Sequence, residues 1–254
     1  MEKDNQSSST STPNGRRSIE LTVNLPAFEL TLLQDGRSVT VYKIGIGRKR
    51  FTTIIGDRQA YGIIWNPEWI PPDSPWVGEM SNVEPGERIK SGDPRNPLGK
   101  LKIPLGGAYL IHEADKSSDV GHLVSHGCIR MRRSDLFDLT DRIMDARQWP
   151  ISKERIERAK RTYERVPFKF VPTIPVRIKY DTIGVENGML IIYRDVYRLG
   201  TNTHRALRNK LLDAGMDTSL LEEGLLRRIL LRARKAKVFT TKLSELRLYE
   251  RSPL

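Results

Sequence analysis

Cysteine is nearly absent from this chain. Cys128 is the only one in 254 residues, which excludes an internal disulfide and any zinc site built from several thiolates. The four histidines are scattered, too thin for a histidine-rich metal tract, and no metal site is expected. No run approaches the ~18 consecutive apolar residues of a membrane span. With hydrophobic residues at 38% and charged residues at 29%, the composition is that of a globular chain of one large or two small domains. Met1 to Arg17 shows no apolar stretch or cleavage site of a secretory signal. The run from Asn5 to Gly15 is rich in Ser, Thr and Asn and has no large apolar residue, so residues 1–17 read as a disordered leader. On this reading the chain is cytoplasmic, or its export signal is missing from it.

Acidic residues are few where basic ones are many. Residues 1–150 hold 20 Lys and Arg against 19 Asp and Glu, whereas residues 151–254 hold 23 against 12. The overall charge of +12 therefore belongs to the C-terminal part. A solvated helical face accounts for such charge, and so does attraction to a polyanion such as a carboxylate-rich wall or an anionic membrane surface. Specific nucleic-acid recognition is not expected, because no stacking motif or recognition module accompanies the charge.

Alternating β-branched segments at Ile19–Val23, Phe28–Leu32 and Val39–Tyr42 predict half-buried strands, with Asp35-Gly36 as a hairpin turn. Trp65 to Gly107 carries many Pro and Gly residues and predicts a long irregular excursion of the kind that often borders a cleft. Ala108 to His112 reads as a short buried strand. Helices are expected within a segment of about 134–165, capped by Ser134 or Asp135 and by Ser152. Two strands, Val176–Tyr180 and Met189–Tyr193, are expected to meet through Asn187-Gly188. Helices follow over Thr203–Ala214 and from about Asp217 to Lys237, and the mixed stripe of the second suggests docking on the body of the protein.

One short window holds what thiol chemistry needs: Ile111-His112-Glu113, then Ser125-His126-Gly127-Cys128-Ile129-Arg130-Met131. A thiol becomes a strong nucleophile when a base or a cation lowers its pKa, and both stand close by. Gly127 permits a tight turn that can aim backbone amides at an oxyanion. A lone cysteine is also often an inert buried thiol, and the window by itself leaves both readings open. Trp65, Trp69 and Trp76 either line a cleft or pack beneath the excursion. His122 reads as a solvated loop residue and His204 as a surface residue.

The Ser-His-Gly-Cys-Ile-Arg-Met segment with Leu110-Ile111-His112 before it resembles the signature of the L,D-transpeptidase (YkuD-like) catalytic domain. Val23-Asn24-Leu25-Pro26-Ala27-Phe28, Ile44-Gly45-Ile46-Gly47, Asn66-Pro67-Glu68-Trp69-Ile70-Pro71-Pro72 and Asn96-Pro97-Leu98-Gly99 extend the likeness over about residues 19–146. The resemblance implies a mainly β catalytic domain over 18–180, a β-sandwich with a short helix after the cysteine motif. A hairpin and a basic, mostly helical C-terminal extension over 181–254 make the whole α+β. It implies Cys128 as nucleophile on peptidoglycan stem peptides, with His112 as base and His126 supporting the site. Gly127 and Ser125 would shape the turn and oxyanion hole, while Arg130, Glu113 and Trp69 would meet substrate. No cofactor is implied. A thioester would pass to an amine of another stem peptide or to an anchored protein lysine, with water as the alternative acceptor, in the periplasm or cell envelope. A non-catalytic wall-binding relative is the rival of another class. Two departures stand out: Glu113-Ala114 where the family has Gly-Thr, and Thr52 and Ile54 where it favours proline. A carboxylate at residue 113 close to His112 would favour a thiolate–imidazolium pair.

Overall fold

The computed structural model describes residues 17–247; most of the expected leader, residues 1–16, lies outside them. The described residues divide into two compact units, one holding residues 17–23 and 28–179 and the other residues 24–27 and 180–247.

The first unit is mainly β. Its strands are β1 (Ile19–Asn24), β2 (Glu29–Gln34), β3 (Arg37–Gly47), β4 (Gly56–Trp65), β5 (Leu101–Pro104), β6 (Leu110–Glu113), β7 (Leu123–Ser125), β8 (Ile129–Met131) and β9 (Val166–Lys179). Alternation buries one side of several strands, as in Ile19, Leu21 and Val23 of β1, whereas consecutive residues are buried in β6 and at the end of β3. Asp35 and Gly36 both take positive φ, 50° and 74°, closing the β2–β3 hairpin as expected. The strands form one nine-stranded sheet in the order β2-β1-β9-β4-β5-β6-β8-β3-β7, and β2 also pairs with β3. The expected sandwich is thus a single sheet carried round on itself. Long β3 makes this possible: residues 37–43 pair with β2, and residues 44–47 reach β8 and β7.

Two helices follow the cysteine motif, α1 (Arg133–Arg147) and α2 (Lys153–Arg161). Leu136, Leu139, Ile143 and Met144 of α1 are buried. Arg132, not Ser134 or Asp135, occupies its N-cap and makes no side-chain cap bond. Ser152 caps α2 as expected, its hydroxyl accepting from the Arg155 amide at 3.2 Å. The excursion between β4 and β5 has neither helix nor strand beyond a single bridge between Trp69 and Ile89. It holds its shape through a small core of its own, Trp69, Val77, Val83, Ile89 and Leu98.

The expected pairing of Val176–Tyr180 with Met189–Tyr193 is not formed. Val176 to Lys179 ends β9, paired with β4 in the large sheet. In the second unit β10 (Ile183–Glu186) pairs with β11 (Met189–Tyr193) across Asn187-Gly188. A two-residue turn demands a strand that begins at its edge, and Glu186, not Tyr180, stands there. The long helix expected from Asp217 is shorter: Thr218–Leu220 is a 3-10 turn, α4 covers Glu223–Lys235, and β12 (Val238–Lys242) then pairs with β11. With α3 (His204–Asp213, capped by Thr203) and α5 (Leu243–Arg247), this unit is a three-stranded antiparallel sheet carrying helices. Leu225, Leu226, Ile229 and Leu230 of α4 pack into the unit's own core with Leu207, Leu211, Leu190 and Ile192.

Candidate active site

The site is built where β6 and β8 lie side by side. They are parallel, with Ile111 opposite Ile129 and His112 opposite Arg130. On the other side of β6, antiparallel β5 sets Lys102 opposite His112. Directly paired residues share a face, so Lys102, His112 and Arg130 form a row across three strands. Cys128 precedes β8 by one residue. Its Sγ lies 3.9 Å from the Ala108 carbonyl, and the Leu110 backbone is close enough to favour its thiolate.

The turn that presents the thiol is fastened by Ser125, which is 1% exposed. Its hydroxyl donates to the Cys128 carbonyl at 2.5 Å and accepts from the Gly127 amide at 3.1 Å. The Ser125 carbonyl in turn accepts from the Arg48 amide at 2.9 Å. Gly127 has φ +114°, and a Cβ there would come within 3.2 Å of the Tyr109 ring, so both conformation and space select glycine. Because the Gly127 N–H is engaged by Ser125, it does not point freely at an oxyanion as expected.

His126 sits between two aromatic rings. Trp76 stacks on it with centroids 4.2 Å apart and planes 6° apart, and Phe51 meets it edge-on at 4.9 Å. Burial is the main cause that lowers its pKa, with Arg48 and Arg130 adding to it. Trp76 leans in turn on Trp69 at 6.4 Å.

His112 is 4% exposed and its Nδ1 has no hydrogen-bond partner. Burial lowers its pKa to about 3, helped by the charges of Arg130 and Lys102 and opposed by the backbone at Glu113 and Pro97. Burial raises the pKa of the Cys128 thiol, against the pull of the Leu110 backbone, Arg130 and Lys102. Near neutrality both groups are therefore uncharged, not the thiolate–imidazolium pair that a nearby carboxylate would favour.

That carboxylate is elsewhere. Glu113 follows His112 in the strand, so its side chain takes the opposite face. Its Oε2 accepts from the Lys100 amide at 2.8 Å and its Oε1 from Arg133 Nε at 2.7 Å. Gly99 makes room for it: a Cβ on Gly99 would fall 2.4 Å from Oε2. Both carboxylate oxygens of Glu113 are thus engaged by the protein's own donors, on the face away from His112. Trp69 is likewise only 6% exposed, within the core of the excursion, and supports Trp76 instead of lining the site. Trp65, 1% exposed, packs on Phe137 at 5.0 Å. Arg130 faces the site side of the sheet, but its Nη1 is held by Asp115 at 2.7 Å and Asp119 at 3.1 Å.

Three contributors escaped the reading of the sequence: Lys102, the Trp76–His126–Phe51 sandwich and the aspartate pair on Arg130. Period-two alternation in Leu101–Pro104 marks Lys102 as facing away from buried Leu101 and Ile103, but only strand pairing sets it beside His112. Among the described residues no group of three or more His, Cys, Asp or Glu is placed to hold a metal ion, and no helix is long and apolar enough to cross a membrane.

The chain is similar in sequence to known proteins. The chain is 25% identical over 188 residues to the probable L,D-transpeptidase ErfK/SrfK of Escherichia coli K12, covering 63% of this chain and 59% of the relative. It is 30% identical over 135 residues to the probable L,D-transpeptidase YcfS of the same organism, covering 48% and 40%. It thus spans between about a third and three-fifths of the curated E. coli relatives that it matches. The solution structure of the catalytic domain of the E. faecium L,D-transpeptidase aligns with 64% of this chain and 97% of its own, at 15% identity and a TM-score of 0.39. The profile of the L,D-transpeptidase catalytic domain, YkuD, matches residues 18–172, which hold the whole β6–β8 site. By that match, over more than half its length, the chain belongs to the YkuD family of L,D-transpeptidase catalytic domains.

Proposed function

We propose that this protein is a cysteine-dependent L,D-transpeptidase acting on peptidoglycan stem peptides. The observation that carries the reading is the Cys128 thiol, held in a turn fastened by Ser125 at the end of a strand paired with the one bearing buried, neutral His112. A neutral imidazole can take a proton, which an imidazolium cannot.

In the proposed reaction His112 accepts the Sγ proton as Sγ attacks the acyl carbon of a donor tetrapeptide. The tetrahedral oxyanion is met by backbone amides of the turn, with the Cys128 N–H as principal donor. The C–N bond to terminal D-alanine then breaks. The proton passes from His112 to the leaving amine, and a thioester remains on Cys128. An acceptor amine from a second stem peptide or from a protein lysine attacks the thioester, gives its proton to His112, and restores the thiol. Because the thiol pKa is raised and that of His112 is lowered, proton transfer accompanies attack instead of preceding it. His126, fixed between Trp76 and Phe51, walls the site beside the nucleophile. The activity places the protein at the periplasm or cell envelope, where the basic second unit would sit near anionic wall or membrane surfaces.

Purified disaccharide tetrapeptide, incubated with and without an amine acceptor, tests the reaction. Cross-linked dimer with release of D-alanine is expected, and Cys128→Ala should abolish it. Tripeptide alone would assign water as the acceptor, and no product at all would remove both enzymatic readings in favour of a non-catalytic wall-binding protein.

A further inference from the structure

The three basic residues in the row beside Cys128 are not equally committed. His112 is uncharged near neutrality, and Arg130 already holds two aspartates. Lys102 has no carboxylate partner among the described residues. Its Nζ donates to the Glu68 carbonyl at 3.3 Å, a long bond, while the Glu68 carboxylate turns to Arg88 at 2.6 Å. A half-buried ammonium hydrogen-bonded to one distant neutral acceptor carries a desolvation cost that the more remote charge of Glu68 offsets only in part, since burial still lowers its pKa. Its charge nevertheless reaches the thiol, lowering the Cys128 pKa. A ligand that brought an anion to this point would supply the missing counter-charge.

We propose that Lys102 is a specificity-determining residue of this site, its ammonium receiving a carboxylate of the acyl donor beside Cys128. The inference rests on the acyltransferase reading above. Arg130 is the obvious candidate by position, but the chain's own Asp115 and Asp119 compete for it. Lys102 meets no such competition, and its place opposite His112 puts an anchored carboxylate next to the base. A donor whose carboxylate is amidated should then bind less well while reacting at a similar rate once bound.

Alkylation of Cys128 by iodoacetate and by iodoacetamide separates this claim from the nucleophile itself. Both reagents form an S–C bond and expel iodide, so a change in thiol pKa moves both rates together. Only charge recognition moves their ratio. Lys102→Gln is expected to lower the iodoacetate-to-iodoacetamide ratio about fivefold, and Lys102→Arg to keep it within about twofold. In the unsubstituted protein the ratio should fall as salt rises from about 50 to about 500 mM, a measurement that needs no variant to fold. With tetrapeptide donors, Lys102→Gln should raise KM for the free acid well above any change in the KM of the amide, while kcat, which also feels the loss of this charge at Cys128 and His112, moves equally for both donors. A ratio unmoved by Lys102→Gln, or indifferent to salt in the unsubstituted protein, overturns the role of Lys102 and leaves the nucleophile standing. Failure of Cys128 to react with either reagent overturns the nucleophile and this inference together.

Discussion

The indole of Trp76 lies flat on the imidazole of His126, 4.2 Å between centroids and 6° between planes. This contact joins the proline-rich excursion to the cysteine motif, so the conformation of residues 66–100 bears on the nucleophile. Replacing Trp76 with Ala removes a stacked pair worth about 1 kcal/mol and admits water to the His126 ring. Burial is the first cause of its lowered pKa, so its titration, followed by NMR, should move up toward the ordinary histidine value. Trp76→Phe should restore most of the shift. An unchanged His126 titration in Trp76→Ala would show that the stack does not shield the ring.

His112 sets a pH dependence of stability. In the unfolded chain an ordinary histidine binds a proton below about pH 6.5, whereas folded His112 resists protonation down to about pH 3. Between these values the unfolded state holds the extra proton, so stability falls as pH falls, by at most about 1.4 kcal/mol per pH unit from this group. Urea denaturation at several pH values from about 7 to about 4 checks the slope. His112→Gln should flatten it, and an equal slope in the variant would assign the effect to other groups.

Ser125 is expected to matter beyond its size. Its hydroxyl serves the Cys128 carbonyl and the Gly127 amide together, and Ser125→Ala leaves both without that partner at a cost of about 1 to 3 kcal/mol. The alkylation rate of Cys128 should change as well, because the same bonds hold the thiol's backbone. Loss of stability under about 0.5 kcal/mol with an unchanged alkylation rate would show that the turn is held by other means.

Glu113→Gln distinguishes a structural tie from a substrate contact. The carboxylate accepts from the Lys100 amide and from Arg133, a guanidinium with 59% of its side chain exposed. The expected result is a stability loss of about 1 kcal/mol, with KM for anionic donors unchanged within about twofold. A large rise in KM with intact stability would return Glu113 to the substrate.

The turn that presents Cys128 was legible in the sequence because it is local. Ser125, Gly127 and Cys128 lie within four residues, and their hydrogen bonds close inside that span. Turns were legible for the same reason, as at Asp35-Gly36 and Asn187-Gly188. What depends on register was not. Lys102 meets His112 only through the pairing of β5 with β6, and Asp119 meets Arg130 only after a 3-10 turn at Ser117–Asp119 brings it back. The early part of β9 was hidden by Pro167, Pro172 and Pro175, which ordinarily argue against an interior strand. Glu113 is different. Period-two alternation alone places it on the face opposite His112, so its distance from the base was within reach of the sequence. Which tryptophan would face the motif followed from the path of a loop with no periodic signal, and it is Trp76, not Trp69, that stacks on His126.

The proposed acyl-enzyme is tested most directly by the mass of the intact protein, quenched within its first turnovers on disaccharide tetrapeptide in the absence of an amine acceptor. The expected species is the protein plus the donor less one D-alanine, attached through Cys128 and absent from Cys128→Ala. An unmodified mass while D-alanine is released, or the same adduct on Cys128→Ala, would contradict a thioester on Cys128.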